Sequence, residues 1–170
     1  MNSYIGQSVP LAAVNAWPTT TSGITLWNGE KAGGKVYIVD ALSAFLAQPL
    51  AAATMLSLAR MMNVGKIVKP TTGTKITPIS ENGDPAYAGL AYCYSGVTVV
   101  NDGWYGIGTS LAIPFAANTN GLVEIIPPKG KFVIKPGFAF SFHAMTTVVP
   151  NSVELAIAWH ESTMNEAQAL

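Results

Sequence analysis

Residues 122–161 read LVEIIPPKGKFVIKPGFAFSFHAMTTVVPNSVELAIAWHE, and the fold is decided by how this stretch is read. It holds short apolar runs separated by turn chemistry, with no need for a helix. Pro127-Pro128-Lys129-Gly130 suits a type I turn, which predicts a hairpin between residues 122–126 and 131–134. Lys135-Pro136-Gly137 suits a type II turn, whose third position needs a positive φ that glycine adopts without strain. Phe138, Phe140 and Phe142 then alternate with Ala139, Ser141 and His143, the period of a strand with one aromatic face. Val153, Leu155, Ile157 and Trp159 repeat the pattern opposite Glu154, Ala156, Ala158 and His160. A sheet with a large apolar face must bury it, and a second sheet is the natural partner.

Outward from this stretch the chain continues in the same style. Ile24-Thr25-Leu26-Trp27 alternates and stops at the turn pair Asn28-Gly29. Val36-Tyr37-Ile38-Val39 begins another strand. Residues 41–62 are rich in alanine, leucine and methionine, which favour a helix, yet their β-like surroundings predict two strands joined near Gln48-Pro49. In that reading Thr54, Leu56, Leu58 and Arg60 share one face. Residues 65–85 read as a long loop with one short strand at 75–79, and 88–100 as a strand bulged at Gly96. Asn101-Asp102-Gly103 makes a turn ahead of Trp104-Tyr105, and a further strand is expected at 110–115. The expected architecture is all-β: a jelly-roll-like antiparallel β-sandwich of about eight strands over residues 24–161. Residues 1–23, broken by Pro10 and Pro18, read as an extended N-terminal arm, and residues 162–170 as a short tail.

Composition narrows the function. A length of 170 residues supports one domain. Only 11% of residues are charged while 49% are hydrophobic, against a usual charged share of about a quarter. A chain so sparing with charge is expected to cover its surface with copies of itself or a larger assembly, the alternative being a monomer coated in Ser, Thr and Asn. The nine basic residues balance nine acidic ones and form no dense footprint, which argues against nucleic acid as partner. The first ten residues lack a basic and apolar leader, so a cytosolic site of synthesis is expected. The uncharged run between Asp40 and Arg60 is split by Gln48-Pro49 and reads as buried strands, not a membrane span.

Chemistry-bearing patterns are sparse. Cys93 is a lone cysteine in a strand-like run and reads as a buried apolar residue. If residues 138–143 and 153–160 pair as a hairpin, His143 faces Val153 and the imidazole of His160 lies about 20 Å away, too far for a shared metal shell. Glu154 could then pair with His143. No Gly-x-Ser-x-Gly elbow occurs, and Gly103, Gly106 and Gly108 match no phosphate-binding fingerprint. A cupin-like metalloenzyme is disfavoured because the two histidines form no His-x-His pattern. No cofactor is expected. Trp104 and Tyr105 form the one functional-looking patch: adjacent aromatics put one ring on each side of the chain, leaving a candidate contact for a glycan or a partner protein, although packing of both is the simpler reading.

Two segments carry a family resemblance. KFVIKPGFAFSF followed by NSVELAIAWHE, with Pro136-Gly137 before a strand and the closing Trp159-His160-Glu161, resembles the last strands of small jelly-roll virion proteins of tailed phages. LWNGEKAGGKVYIVDALSA is similar to the same group's Asn-containing turn, Gly-rich loop and following strand. The resemblance implies a non-enzymatic capsid decoration (cement) protein or a head or tail appendage subunit. Such a protein would form a homo-oligomer, a trimer being the expected number, on other virion proteins such as the major capsid protein. Leu11, Val14 and Trp17 of the arm, with Met61 and Met62, are the expected subunit contacts. The rival is a carbohydrate- or receptor-binding module using Trp104 and Tyr105.

Overall fold

The computed structural model describes residues 3–7, 11–12, 22–46, 54–80, 90–112, 123–126, 132–146 and 152–167. They form an all-β sandwich. In chain order the strands are β1 (Ser3–Gln7), β2 (Leu11–Ala12), β3 (Ile24–Asn28), β4 (Val36–Leu46), β5 (Thr54–Met62), β6 (Thr74–Ile76), β7 (Ile79–Ser80), β8 (Ala91–Ser95), β9 (Tyr105–Ala112), β10 (Val123–Ile126), β11 (Phe132–Ile134), β12 (Ala139–Thr146) and β13 (Ser152–Ser162). A single helical turn, α1 (Met164–Ala167), follows. No helix among the described residues is long and apolar enough to cross a membrane.

One sheet runs β10-β4-β13-β1-β7, with β11 also on β4 and β2 also on β13; the other runs β6-β8-β3-β12-β5-β9. Every pairing is antiparallel, and the order has a simple rule. If β1 with β2 and β10 with β11 are each taken as one interrupted strand and β6–β8 as an insertion, eight principal strands remain. The first pairs with the last (β1 and β2 on β13), the second with the seventh (β3 on β12), the third with the sixth (β4 on β10 and β11) and the fourth with the fifth (β5 on β9). The chain is thus a long two-stranded ribbon folded over on itself, with the insertion at the ribbon's turn.

Alternation builds the core. Ile24, Leu26, Leu58, Cys93, Phe140 and Phe142 from one layer meet Tyr37, Val39, Leu42, Leu155, Ile157 and Trp159 from the other. Burying each of the large side chains contributes roughly 1.5–3 kcal/mol before the entropy of ordering it is counted. The layers approach closely at β1, where a Cβ on Gly6 would lie 2.6 Å from the Cys93 sulfur. The inserted segment leaves β5, crosses to the far edge as β6 and β8, and returns across the outer face of the second sheet. Met61, Tyr94, Val97 and Val99 form a smaller cluster beneath that return.

Several expectations hold. Residues 41–62 form two strands on either side of Gln48-Pro49, because tertiary pairing outweighs helix propensity. Gly137 has φ +82° and the Phe138 amide donates to the Lys135 carbonyl at 2.9 Å, the turn predicted there. Asn28 does more than turn the chain: buried, it donates from Nδ2 to the carbonyls of Lys35 (2.9 Å) and Ile134 (2.8 Å), tying the two layers together.

Four expectations are corrected. The first hairpin is absent: β10 and β11 both lie along β4, six positions of their own chain passing from Ile126 to Phe132 against three on β4. Prolines cannot donate to a ladder, and β11 follows β10 in the same direction along β4. The second hairpin is absent as well, since β12 pairs with β3 and β5 while β13 lies in the opposite sheet. The connection after Met145 therefore crosses between layers, and Glu154 sits opposite Phe45, not near His143. Thirdly, most of the described part of the expected arm is sheet. Ser3–Gln7 runs between β13 and β7, Leu11 and Ala12 continue along β13, and Ser22 and Gly23 lead into β3; the other residues of 1–23 lie outside the described residues. Lastly, Gly96 (φ +64°) ends β8 instead of bulging it.

Candidate functional site

The two sides of the sandwich differ. On one side the chain passes directly from β6 in one sheet to β7 in the other through Thr77 and the buried Pro78, closing the gap covalently. The opposite side lies between β9 and the β10–β11 edge, where Arg60 of one layer meets Phe132 of the other. Trp104 and Tyr105 stand at this side, at the entry to β9.

The turn before them is held firmly. The Asp102 carboxylate accepts hydrogen bonds from Asn63 Nδ2 (2.8 Å) and the Val64 amide (3.0 Å), and the Asp102 amide donates to the Met61 sulfur at 3.2 Å. Asn101 Oδ1 accepts from the Gly103 amide at 3.0 Å, a local Asx turn. From this fixed point strand alternation sends the aromatics opposite ways. Trp104, half-buried, joins the cluster beneath the returning chain and meets the His143 ring at 5.8 Å. Tyr105 is 64% exposed.

Arg60 completes the group. It lies opposite Tyr105 in the ladder, and its guanidinium carbon sits 4.9 Å from the Tyr105 ring centroid and 4.1 Å from that of Phe132 in the other sheet. Desolvation between these rings lowers its pKa from the usual value. Sequence reasoning placed Arg60 on the Leu58 face without giving it a role; a lone arginine in an apolar strand face was the available signal. A second ring cluster is already occupied. Lys69 caps Tyr92 at 3.7 Å with Lys75 at 5.7 Å, and Tyr92 packs on Trp27 and Tyr94 at 5.5 and 6.4 Å.

The histidines lie on the outer faces of different sheets. His160 Nδ1 is 2.8 Å from both Asp40 oxygens. Asp40 reaches it because it is the extra residue of a β-bulge: β4 passes from Val39 to Ala41 while β13 advances only from Trp159 to Ala158. His160 Nε2 is closed off from solvent, so this pair is built as a structural hydrogen bond, not as an exposed base. His143 is buried with no partner on either nitrogen, and burial lowers its pKa to about 4. Cys93 is shut in the core, where burial pushes the thiol up to about 12 and keeps it protonated. Among the described residues no cluster of His, Cys, Asp and Glu could hold a metal ion.

Of the expected subunit contacts, Val14 and Trp17 lie outside the described residues, and Leu11 is described only as a backbone partner of Val153. Met61 is 1% exposed beneath the returning chain, which leaves it no surface for a neighbouring subunit, and Met62 is half-buried against the main core. Among the described residues the exposed large apolar side chains are Val64, Val68, Ile79, Leu90, Val100 and Tyr105. No family model, curated protein or solved structure matches this chain.

Proposed function

We propose that this chain is a non-enzymatic structural component of a phage virion, a capsid decoration protein or a head or tail appendage subunit, acting by packing against copies of itself and against the major capsid protein. The nested order of the eight principal strands carries the reading, because it is the order to be expected of a double-sheet jelly roll, an architecture that capsid domains use. Charge supports it. With 11% charged residues, the chain exposes Val64 next to the 100–102 turn and Val100 within it, a small apolar rim suited to a neighbouring subunit.

Multi-angle light scattering on the purified chain tests the assembly, with a stable trimer as the expected result. Co-sedimentation with virus particles tests the location. A monodisperse monomer that stays in the supernatant with particles would overturn the reading.

A further inference from the structure

We propose that Arg60 and Tyr105 form a binding site for a sugar that carries a carboxylate, at the side of the sandwich between β9 and β11. This rests on the glycan-contact reading of Tyr105 and not on assembly.

Arg60 starts from the inner face of β5 beside Leu58 and ends at the rim, with Phe132 on one side and Tyr105 on the other at 4.1 and 4.9 Å. Ring contacts of this kind engage a guanidinium without using its N–H donors. Among the described residues no carboxylate pairs with Arg60 and no acceptor takes a hydrogen bond from it. Of its nitrogens only Nε is both buried and unpartnered, so the two terminal nitrogens keep contact with solvent. They form one end of the planar fork that binds a carboxylate with two parallel hydrogen bonds. A lysine would not give that geometry.

The ligand class follows from what surrounds the fork. A single cation without a counter-ion matches one carboxylate; a polyanion or an acidic peptide would call for several, and Lys69 is already seated on Tyr92. Tyr105, 64% exposed, adds a flat ring whose surface beyond the part covered by the guanidinium can take the C–H face of a sugar. Val64 and Val100 are exposed on the neighbouring loops that the Asp102 contacts hold in place. The site as built therefore reads one charge and one ring.

Isothermal titration of the full chain tests this with three probes: a galactose trisaccharide ending in a single galacturonic acid, the neutral galactose trisaccharide, and triglutamate. Saturable binding of the acidic trisaccharide alone is expected. Arg60→Met should weaken it by roughly tenfold or more, as loss of a bidentate charge-assisted pair implies. Arg60→Lys, which keeps charge but loses the fork, should not restore it. Tyr105→Ala, at an exposed position, should weaken binding several-fold, and it keeps the test decisive if the Arg60 variants fail to fold. The proposal is overturned by the absence of saturation, by equal binding of the neutral trisaccharide or triglutamate, or by unchanged affinity in Arg60→Met or Tyr105→Ala. Any of these outcomes leaves the light-scattering result standing on its own.

Discussion

His143 and His160 are equally hidden, each 8% exposed on the outward face of its sheet, yet their surroundings are opposite. His160 has the Asp40 carboxylate, delivered by a bulge in β4. His143 has only the edge or face of Trp104 and the aliphatic and hydroxyl groups of its own sheet. Around it runs a buried chain of hydroxyls, Ser22 to Thr25 at 2.6 Å and Thr25 to Ser141 at 2.9 Å, that satisfies itself and offers the imidazole nothing. Equal burial thus leaves one histidine hydrogen-bonded and the other without a partner, and in the second burial favours the neutral ring. The lesson is that burial without a hydrogen-bond partner is what makes the His143 face sensitive to acid.

The largest consequence concerns pH. The folded pKa of His143, about 4, lies below its unfolded value near 6.5, so the unfolded chain takes up the proton first. The stability that depends on a neutral His143 is complete above pH 6.5 and is lost as pH falls to about 4. The full loss is about 3 kcal/mol. Urea unfolding at pH 7 and at pH 4.5 measures most of it, and His143→Leu should flatten the difference; an unchanged pH dependence in that variant would overturn this account of His143.

Trp104→Ala sharpens the same contrast from outside. Removing a half-buried indole should cost about 2–3 kcal/mol at pH 7. Because it admits water to His143, it should also raise that pKa toward the ordinary value, which NMR titration of the imidazole reads directly. On the other face, Asp40→Ala strips His160 of its partner and should cost about 1–2 kcal/mol at pH 7 by the same unfolding measurement. Smallest is Thr25→Val, which cuts the hydroxyl chain at its centre for about 1 kcal/mol. Its effect should fall short of additive with Ser141→Ala, since both remove one hydrogen bond.

Legibility in the sequence followed range. The Lys135–Gly137 turn could be read from its own residues because a positive φ and an i to i+3 hydrogen bond are local requirements, and the aromatic face of β12 could be read from alternation. The two missing hairpins show the other case. A connection of a few residues can either reverse a strand within a sheet or carry it across to the facing layer, and nothing in residues 145–151 distinguishes the two. The placement of Ser3–Gln7 beside β13 depends on a partner about 150 residues away in the chain, which no local pattern encodes. At the site, alternation separated Trp104 from Tyr105, but the meeting of Arg60 with Phe132 spans two sheets and needed the fold.

The pairing of first strand with last has a consequence for how the protein is made. β13 lies between β4 and β1, so until residue 162 has left the ribosome two strands of that sheet lack the neighbour they share. Growing chains must therefore wait with Ile38, Leu42 and their neighbours uncovered, in a fold whose non-local pairings already make it slow to close. Birth, for this molecule, is the interval when an aggregating partner or a chaperone has its best opportunity to intervene.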